Sequence, residues 1–322
     1  MSIAKTFLFL LFVIVSEMAT AQSLAGITNL PDTSYSNFSA YKSTLKTHPD
    51  IRIVPELKSA SIRETKGLVY CSVGDRKLLL DAFTPAAKSK KTGIIIIHGG
   101  GWRTGNRTQH YPLAQHLANL GYSGFTIEYR LSTEALYPAA VHDIKAAVRW
   151  LRANKSKYGI DRIAVLGFSA GGELAAFTGT TNGDKSFEGE ICNDASSLVD
   201  AVIDIDGTLS FVHPESGEGD DSRSTSAATY WFGYPKKDNY ALWENASPLN
   251  HAGKSTPPTL FLNSSVDRMH AGREDYISVL KKSGTYSEVH AFENAPHSFC
   301  LFDPWFKPTV NYIDGFLKRV LK

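Results

Sequence analysis

The pattern of hydrophobic and polar positions changes once along the chain, from a mixed polar start to regularly spaced apolar runs. Residues 67–73 and 77–83 are apolar-rich and flank Gly74-Asp75-Arg76, which predicts an antiparallel hairpin. The run Gly93-Ile94-Ile95-Ile96-Ile97 then lacks polar alternation, as expected of a strand buried on both faces. From this point strands and helices are predicted to alternate.

The remaining runs fit an open, mostly parallel sheet with helices on both faces. Further strands are predicted at residues 123–129, 163–166, 199–205, 259–263 and 287–292. Helices are predicted around residues 113–120, 144–151, 173–177, 273–282 and 310–320. Residues 207–250 lose this rhythm and are rich in Gly, Ser, Asp and aromatic residues, which indicates an insertion after the sixth strand. The predicted fold class is α/β, a doubly wound and mostly parallel sheet with an antiparallel start.

The first residues have the features of a secretory signal peptide rather than of a folded element. Lys5 precedes an apolar run over residues 6–15, and Ala19-Thr20-Ala21 forms a small-residue cleavage site. We therefore expect a signal peptide at residues 1–21, an N-terminal extension at 22–65 and one α/β domain at 66–322. The protein is expected to be exported, to the periplasm or the extracellular space, with no stable membrane insertion after cleavage.

Composition narrows the choice of partners. The 322 residues carry a net charge of +2, with both signs spread along the chain, which argues against nucleic acid as the main partner. Three cysteines, Cys71, Cys192 and Cys300, allow at most one intramolecular disulfide. Their spacing matches no zinc or haem pattern, and we interpret them as small buried hydrophobic residues.

The segment Gly167-Phe168-Ser169-Ala170-Gly171-Gly172 lies between a predicted strand and a predicted helix. This is the context of a nucleophile elbow, in which glycines permit a very tight turn that presents the serine. Alone, the segment fits a glycine-rich turn with a bystander serine equally well. The decision depends on whether the chain also supplies a base and an acid for Ser169.

A serine hydroxyl needs a base, and the base needs an orienting acid. His297 follows the last predicted strand, and Asp267 follows the strand before it, which gives the chain order Ser169, Asp267, His297. That order is the one found in α/β-hydrolases. Asp204 and Asp206, near the end of the 199–205 strand, are the rival acids.

A glycine-rich loop directly follows the Ile94–Ile97 strand. In His98-Gly99-Gly100-Gly101-Trp102, the backbone N–H groups of Gly100 and Gly101 are predicted to form an oxyanion hole together with that of Ala170. The alternative, a phosphate cradle, lacks the expected Gly-Lys-Ser/Thr or Gly-x-Gly-x-x-Gly pattern. We interpret His98 as a structural hydrogen-bonding residue.

Several of these motifs together resemble a known family, the hormone-sensitive-lipase-like branch of the α/β-hydrolases. The residues that carry the resemblance are His98–Trp102, Glu128–Leu131, Asp143, Gly167–Gly172, Asp267 and His297. Within that branch the chain is similar to small exported bacterial carbohydrate esterases, which hydrolyse acetyl, methyl or feruloyl esters on pectin or xylan. The resemblance implies serine-dependent hydrolysis of carboxylic esters through an acyl-enzyme, without a metal or other cofactor. Residues 296–306 resemble esterases that act on pectin or other plant polysaccharides.

Four residues near predicted strand ends are candidates for contacting a polysaccharide-linked ester. Aromatic rings stack on sugars and arginines pair with uronic-acid carboxylates, which favours Trp102, Arg103, Arg268 and Trp305. The four residues fit equally well as ordinary solvent-exposed side chains or, for the tryptophans, as side chains packed inside the protein. Other hypotheses remain open: a general carboxylesterase or lipase-like hydrolase of small acyl esters, a serine peptidase, and a non-catalytic binding protein on this fold.

Overall fold

The computed structural model describes residues 26–189 and 192–322, so the predicted signal peptide lies outside the described residues. Eight strands form the main sheet: β2 (Ile62–Val73), β3 (Arg76–Pro85), β4 (Thr92–Ile97), β5 (Ser123–Ile127), β6 (Arg162–Phe168), β7 (Ala201–Ile205), β8 (Thr259–Asn263) and β9 (Ser287–Ala291). A separate small sheet pairs β1 (Arg52–Ile53) with β10 (Phe302–Asp303).

The strand order of the main sheet is β2-β3-β5-β4-β6-β7-β8-β9. β2, β3 and β5 pair antiparallel, and every pair from β5 through β4 to β9 is parallel. This is an α/β-hydrolase sheet, and the fold class predicted from the sequence is confirmed. The carboxyl ends of the parallel strands β4, β6, β7, β8 and β9 therefore meet at one edge, where the site forms.

Nine α-helices are present in the described residues. They are α1 (Asn37–Thr44), α2 (Tyr111–Asn119), α3 (Ala139–Ala153), α4 (Lys155–Tyr158), α5 (Ala170–Thr180), α6 (Ala227–Phe232), α7 (Tyr240–Asn245), α8 (Arg273–Lys282) and α9 (Phe306–Val320). Short 3₁₀ turns occur at Arg107–His110, Lys185–Phe187, Pro248–His251, Asp267–His270 and Phe299–Leu301.

The core forms because the central strands have apolar residues on both faces. Ile94–Ile97 of β4 are essentially inaccessible to solvent, as the unbroken apolar run predicts. On α3, the positions Ile144, Ala147, Val148 and Leu151 are all fully buried against the sheet. Their i, i+3, i+4, i+7 spacing places them on one helical face.

The insertion after β7 contains α6 and α7 and has an aromatic core of its own. Trp231 and Trp243 are fully buried and surround Phe211 and Phe232 with ring centroids 4.6–6.1 Å apart. Tight edge-to-face and tilted pairs of this kind hold the insertion together, and Trp231 connects it to Trp102 in the loop after β4. The segment is thus a packed cover next to the site.

A disulfide joins Cys71 of β2 to Cys192, across 121 positions of sequence, while Cys300 is a buried free thiol. The interpretation of all three cysteines as small hydrophobic residues was therefore wrong for two of them. Within the described residues, no helix is long and apolar enough to cross a membrane. The same residues contain no cluster of His, Cys, Asp and Glu suited to hold a metal ion.

Candidate active site

Ser169 lies at the tip of the turn between β6 and α5, in a backbone conformation that non-glycine residues rarely adopt. Its φ is 57° and its ψ is −123°. The turn is possible because its neighbours lack side chains: a Cβ on Gly167 would lie 1.8 Å from the carbonyl oxygen of Gly171. A Cβ on Gly171 would lie 2.3 Å from the carbonyl oxygen of Ile97. This is the strained strand–turn–helix geometry of a nucleophile elbow.

A continuous hydrogen-bonded chain runs from Ser169 through His297 to a carboxylate. The Oγ of Ser169 is 2.9 Å from Nε2 of His297, and Nδ1 of His297 is 2.9 Å from Oδ2 of Asp206. The carboxylate is fully buried, whereas the imidazole is 31% exposed. Because a carboxylate only accepts, Nδ1 carries the proton, which leaves Nε2 free to accept the proton of Ser169.

The structure contradicts Asp267 as the acid of this arrangement. Asp267 begins a 3₁₀ turn beyond β8, its side chain is 97% exposed, and it lies 3.9 Å from the imidazole of His270 rather than against that of His297. Asp206, the residue directly after β7, takes its place. It turns with a φ of 52°, and its Oδ1 accepts a hydrogen bond of 2.8 Å from the N–H of Ser264.

Asp206 reaches His297 and Asp267 does not because of where β7 and β8 end. β7 lies directly beside β6 in the sheet, so the residue after β7 emerges next to Ser169. The backbone N–H of Asp206 also donates to the carbonyl of Leu262 on β8, which holds the turn against that strand. Asp267 is four residues beyond the end of β8, and its turn has already carried it into solvent.

The loop of residues 98–102 has each of its first three peptide planes fixed by hydrogen bonds. Tyr129 donates to the carbonyl of His98, and the N–H of Gly99 donates to Oε1 of Gln109 at 2.8 Å. Nδ1 of His98 lies 2.9 Å from the carbonyl of Gly99. The N–H and the hydroxyl of Thr104 both donate to the carbonyl of Gly100.

In a trans peptide the N–H points away from the preceding carbonyl, so these bonds also orient the N–H groups of Gly100 and Gly101. Within the described residues, neither N–H donates a hydrogen bond, and the same holds for that of Ala170 at the start of α5. Unpaired N–H groups of this kind are suited to bind an anionic oxygen. The predicted oxyanion-hole residues Gly100, Gly101 and Ala170 thus each carry an unpaired backbone N–H donor in the described structure.

His98 is a neutral part of this loop. Complete burial lowers its pKa to about 4, although the hydrogen bond with Gly99 opposes the shift. Because a carbonyl only accepts, the neutral ring must carry its proton on Nδ1. Its ring stacks on Tyr129 at 4.4 Å. The structure therefore gives His98 the hydrogen-bonding position in the loop that the sequence predicts.

A family model matches this architecture over residues 80–272, which include β4, the elbow and Asp206. The chain belongs to the BD-FAE family. This places it among the hormone-sensitive-lipase-like α/β-hydrolases and confirms the resemblance inferred from the sequence motifs. The matched region ends before His297, which β9 and the following turn supply.

Individual relatives of this BD-FAE chain are esterases by name. It is 30% identical to esterase LipC of Mycobacterium tuberculosis over 245 residues, which are 70% of this chain and 58% of that protein. The chain spans roughly half the length of the first curated relatives that it matches, 49% to 58%.

Solved structures share the fold. A truncated carbohydrate esterase from gut microbiota matches with a TM-score of 0.69 and 24% identity, covering 84% of this chain and all of that one. Propionate-bound esterase 2 of Thermogutta terrifontis matches with a TM-score of 0.64 and 24% identity, covering 81% and 95% of the two chains. At this identity the likeness concerns the fold.

Two of the four predicted substrate contacts are engaged inside the protein. Trp102 is 3% exposed, stacks on Trp231 at 4.8 Å and donates its indole N–H to Glu173. Arg103 pairs with Asp32 at 3.1 Å and lies over the ring of Tyr230. The prediction that Trp102 contacts substrate was therefore wrong, because the insertion covers it. Arg103 is held by its ion pair with Asp32 of the N-terminal segment.

The other two predicted contacts are more accessible. Arg268 is exposed, in the turn after β8, and a Cβ on Gly217 of the insertion would lie 3.2 Å from its Cδ. Trp305 is half-buried and packs edge-to-face against His48 with ring centroids 5.7 Å apart. Of the two, Arg268 is the better placed to meet a ligand from solvent.

Glu218, in the insertion, is a carboxyl near the site that sequence reasoning missed. It accepts a hydrogen bond from the backbone of Ala228, and burial raises its pKa, while the charges of Arg268 and Lys236 and then that of His297 oppose the rise. The neighbouring Ala227 lies against the oxyanion-hole loop, since a Cβ on Gly101 would be 2.9 Å from its Cβ. No motif marks Glu218 in the sequence, because the path of the insertion brings it here.

Proposed function

We propose that this protein is an exported serine esterase that hydrolyses carboxylic esters through an acyl-enzyme, on substituents of plant polysaccharides of the pectin type. The observation that carries the proposal is the hydrogen-bonded chain Ser169–His297–Asp206, with both bonds at 2.9 Å. The esterase names of the curated relatives support the reaction class.

The geometry accounts for each step of ester hydrolysis. Ser169 Oγ attacks the ester carbonyl while its proton moves to Nε2 of His297, and Asp206 stabilises the resulting imidazolium. The negative oxygen of the tetrahedral intermediate is bound by the N–H groups of Gly100, Gly101 and Ala170. The imidazolium then protonates the leaving alcohol, which leaves the acyl group on Ser169.

Water completes the cycle by the same route. His297 removes a proton from water, the hydroxide formed attacks the acyl carbon, and the returning proton restores Ser169. The proton that leaves Oγ thus passes through His297 to the leaving alcohol. The proton that leaves water passes through His297 back to Oγ.

The disulfide supports the export part of the proposal. Disulfides persist in the periplasm and outside the cell and are rare in reducing cytosol. A bond between Cys71 and Cys192 fits the signal-peptide pattern at residues 1–21. Fractionation of the producing cells, with mass determination of the mature chain, tests it. We expect the protein outside the cytoplasm, beginning at Gln22, and a cytoplasmic full-length chain would contradict export.

Three observations favour a sugar ester as the substrate. The named carbohydrate esterase from gut microbiota shares the fold over the whole of its own length. Arg268 is exposed and the carboxyl of Glu218 lies within electrostatic range of it and of His297. A guanidinium can donate to the hydroxyls of a sugar alcohol, and a carboxyl can accept from them.

The second candidate is a carboxylesterase of small acyl esters. It is favoured by the similarity to esterase LipC and by the propionate found in the related Thermogutta esterase. Acetylated and methylated pectin and acetylated xylan separate the two candidates, with release of acetate and methanol as the readout. The polysaccharide proposal fails if neither is released from any polymer while small acyl esters are cleaved.

The reaction itself is tested with p-nitrophenyl acetate and the variant Ser169→Ala. We expect the mature protein to hydrolyse this ester and the variant to lose several orders of magnitude in kcat. Unchanged activity in Ser169→Ala would remove the serine from the mechanism. A complete lack of activity on any ester would favour a binding protein on this fold.

A further inference from the structure

The N-terminal segment, which the sequence left without a chemical role, contacts the 3₁₀ turn that supports the oxyanion-hole loop and the loop that carries His297. On the oxyanion side, Nδ2 of Asn37 donates to the carbonyl of Gln109 at 2.9 Å. On the histidine side, the hydroxyls of Thr44 and Ser298 lie 3.3 Å apart in a buried position. Residues 37 and 44 are the two ends of α1, so one short helix contacts both the 3₁₀ turn that holds Gln109 and the loop that carries His297.

Further contacts hold the segment in place around the histidine loop. Nε2 of His48 lies 2.9 Å from the carbonyl oxygen of Asn294, three residues before His297. β1 then pairs with β10, with Ile53 opposite Phe302. The segment is thus anchored on both sides of the turn that carries His297.

Gln109 occupies the critical position on the oxyanion side. It is 6% exposed, lies in the 3₁₀ turn Arg107–His110, and accepts the N–H of Gly99 at 2.8 Å through Oε1. Gly99 itself lies against the nucleophile, since a Cβ there would be 3.1 Å from Cβ of Ser169. The bond to Gln109 fixes the His98–Gly99 peptide plane, from which the loop begins, whereas the next two planes are held at the carbonyls of Gly99 and Gly100. A rotation of that first plane would therefore shift the two peptides that follow and the N–H groups they carry.

We propose that Gln109 is a positioning residue of the oxyanion hole, and that Asn37 holds Gln109 in place from the N-terminal segment. By occupying the N–H of Gly99, the side chain of Gln109 fixes the loop so that the N–H groups of Gly100 and Gly101 face the oxygen of the tetrahedral intermediate. This inference rests on the proposed esterase function and names a further residue on which it depends.

The kinetic test compares Gln109→Met, which keeps the length of the side chain but removes the acceptor, with Gln109→Glu, which retains an acceptor oxygen. We measure kcat and KM on p-nitrophenyl acetate, with active sites counted by titration with an organophosphate. In Gln109→Met we expect kcat per titrated site to fall about 10- to 100-fold, because a misplaced donor is lost in the transition state, while KM changes little. Gln109→Glu should recover most of the loss.

Two further variants complete the series. Asn37→Ala should lower kcat per site in the same direction but by a smaller factor, because the Gly99–Gln109 bond remains. Thr108→Val, an exposed neighbour in the same 3₁₀ turn, is the control and should leave kcat unchanged. If the lost activity of Gln109→Met equals its loss of titratable sites, so that kcat per site is normal, the residue is merely structural and the proposal is overturned.

A second measurement separates this proposal from the proposed function. Hydrogen exchange of the peptide that contains residues 98–102 should be faster in Gln109→Met than in the wild type, because the N–H of Gly99 loses its acceptor. Unchanged exchange contradicts the positioning role even if the protein is an esterase. If the wild type hydrolyses no ester, the proposed function fails, and the exchange result still decides whether Gln109 fixes the loop.

Discussion

At the residue scale, the acid of the site is the feature that most changes the chemistry expected of this chain. Asp206 is buried and hydrogen-bonded to His297, to the N–H of Ser264 and, at 3.5 Å, to Asn263. An orienting carboxylate acts through such fixed geometry, because it must hold one tautomer of the imidazole and stabilise its cation. An exposed carboxylate such as that of Asp267 has neither the contact nor the low-dielectric surroundings.

We therefore expect the variants Asp206→Asn and Asp267→Asn to differ sharply. Asp206→Asn should lower kcat on p-nitrophenyl acetate by about 10³- to 10⁴-fold, because an amide stabilises the wrong tautomer of His297. Asp267→Asn should stay within about twofold of the wild type, because the residue contacts neither Ser169 nor His297. Steady-state kinetics at neutral pH measures both, and a large loss in Asp267→Asn alone would restore the acid inferred from the sequence.

The sequence could identify Ser169 and His297 because each lies in a short segment that carries its own context. The acid could not be identified in that way, because acidic residues follow both β7 and β8. Choosing between them requires the path of each loop, which depends on the turn at Asp206 and on its bonds with Leu262 and Ser264. The role of Gln109 could not be inferred from the sequence either, because its partner Gly99 is ten residues away and no motif links the two.

At the element scale, the strands of the main sheet and the helices that pack on it were predictable because their apolar periods are strong, whereas α1 and the helices of the insertion were not. Runs such as Ile94–Ile97 and the face of α3 are recognisable without tertiary information. The burial of Trp102 was not predictable, because the residues that cover it, Trp231 among them, come from an insertion with no clear period. The same insertion brings Glu218 to the site, so the substrate side of the pocket is the part that sequence reasoning describes least well.

The junction of β6 and α5 gives a test of how tightly these elements pack. In Gly171→Ala, the new Cβ would meet the carbonyl oxygen of Ile97 at 2.3 Å, a backbone atom that cannot rotate away. We expect a loss of about 3 kcal/mol in the free energy of unfolding, at the upper end of the range for overpacked core positions. Urea denaturation measures the loss, and Gly253→Ala is the matched control, because a Cβ at Gly253 meets nothing within 4 Å. Equal stability of the two variants would contradict the close approach of α5 to β4.

At the scale of the whole molecule, two buried carboxyls, one on α5 and one on β7, link stability to pH. Burial raises the pKa of both Glu173 and Asp204 well above the usual range. Each has one oxygen bonded, Glu173 to the indole of Trp102 and Asp204 to the N–H of Gly207, and one buried oxygen without a partner in the described residues. Both groups are therefore neutral in the folded protein at pH values where the unfolded chain has already ionised them.

The sign of the pH dependence follows from proton counting. Above the unfolded pKa of about 4, the folded state holds more protons than the unfolded state, so raising the pH lowers the free energy of unfolding until the folded pKa is reached. In Asp204→Asn the side chain stays neutral at every pH and keeps an oxygen for the N–H of Gly207, so the part of this loss that comes from Asp204 disappears. The stability of the variant relative to the wild type should rise with pH by up to about 1.4 kcal/mol per unit. Urea denaturation at intervals from pH 4 to pH 8 measures the stability difference between variant and wild type. Glu173→Gln should behave in the same way. A stability difference that is constant across this pH range would show that these carboxyls ionise normally in the folded protein.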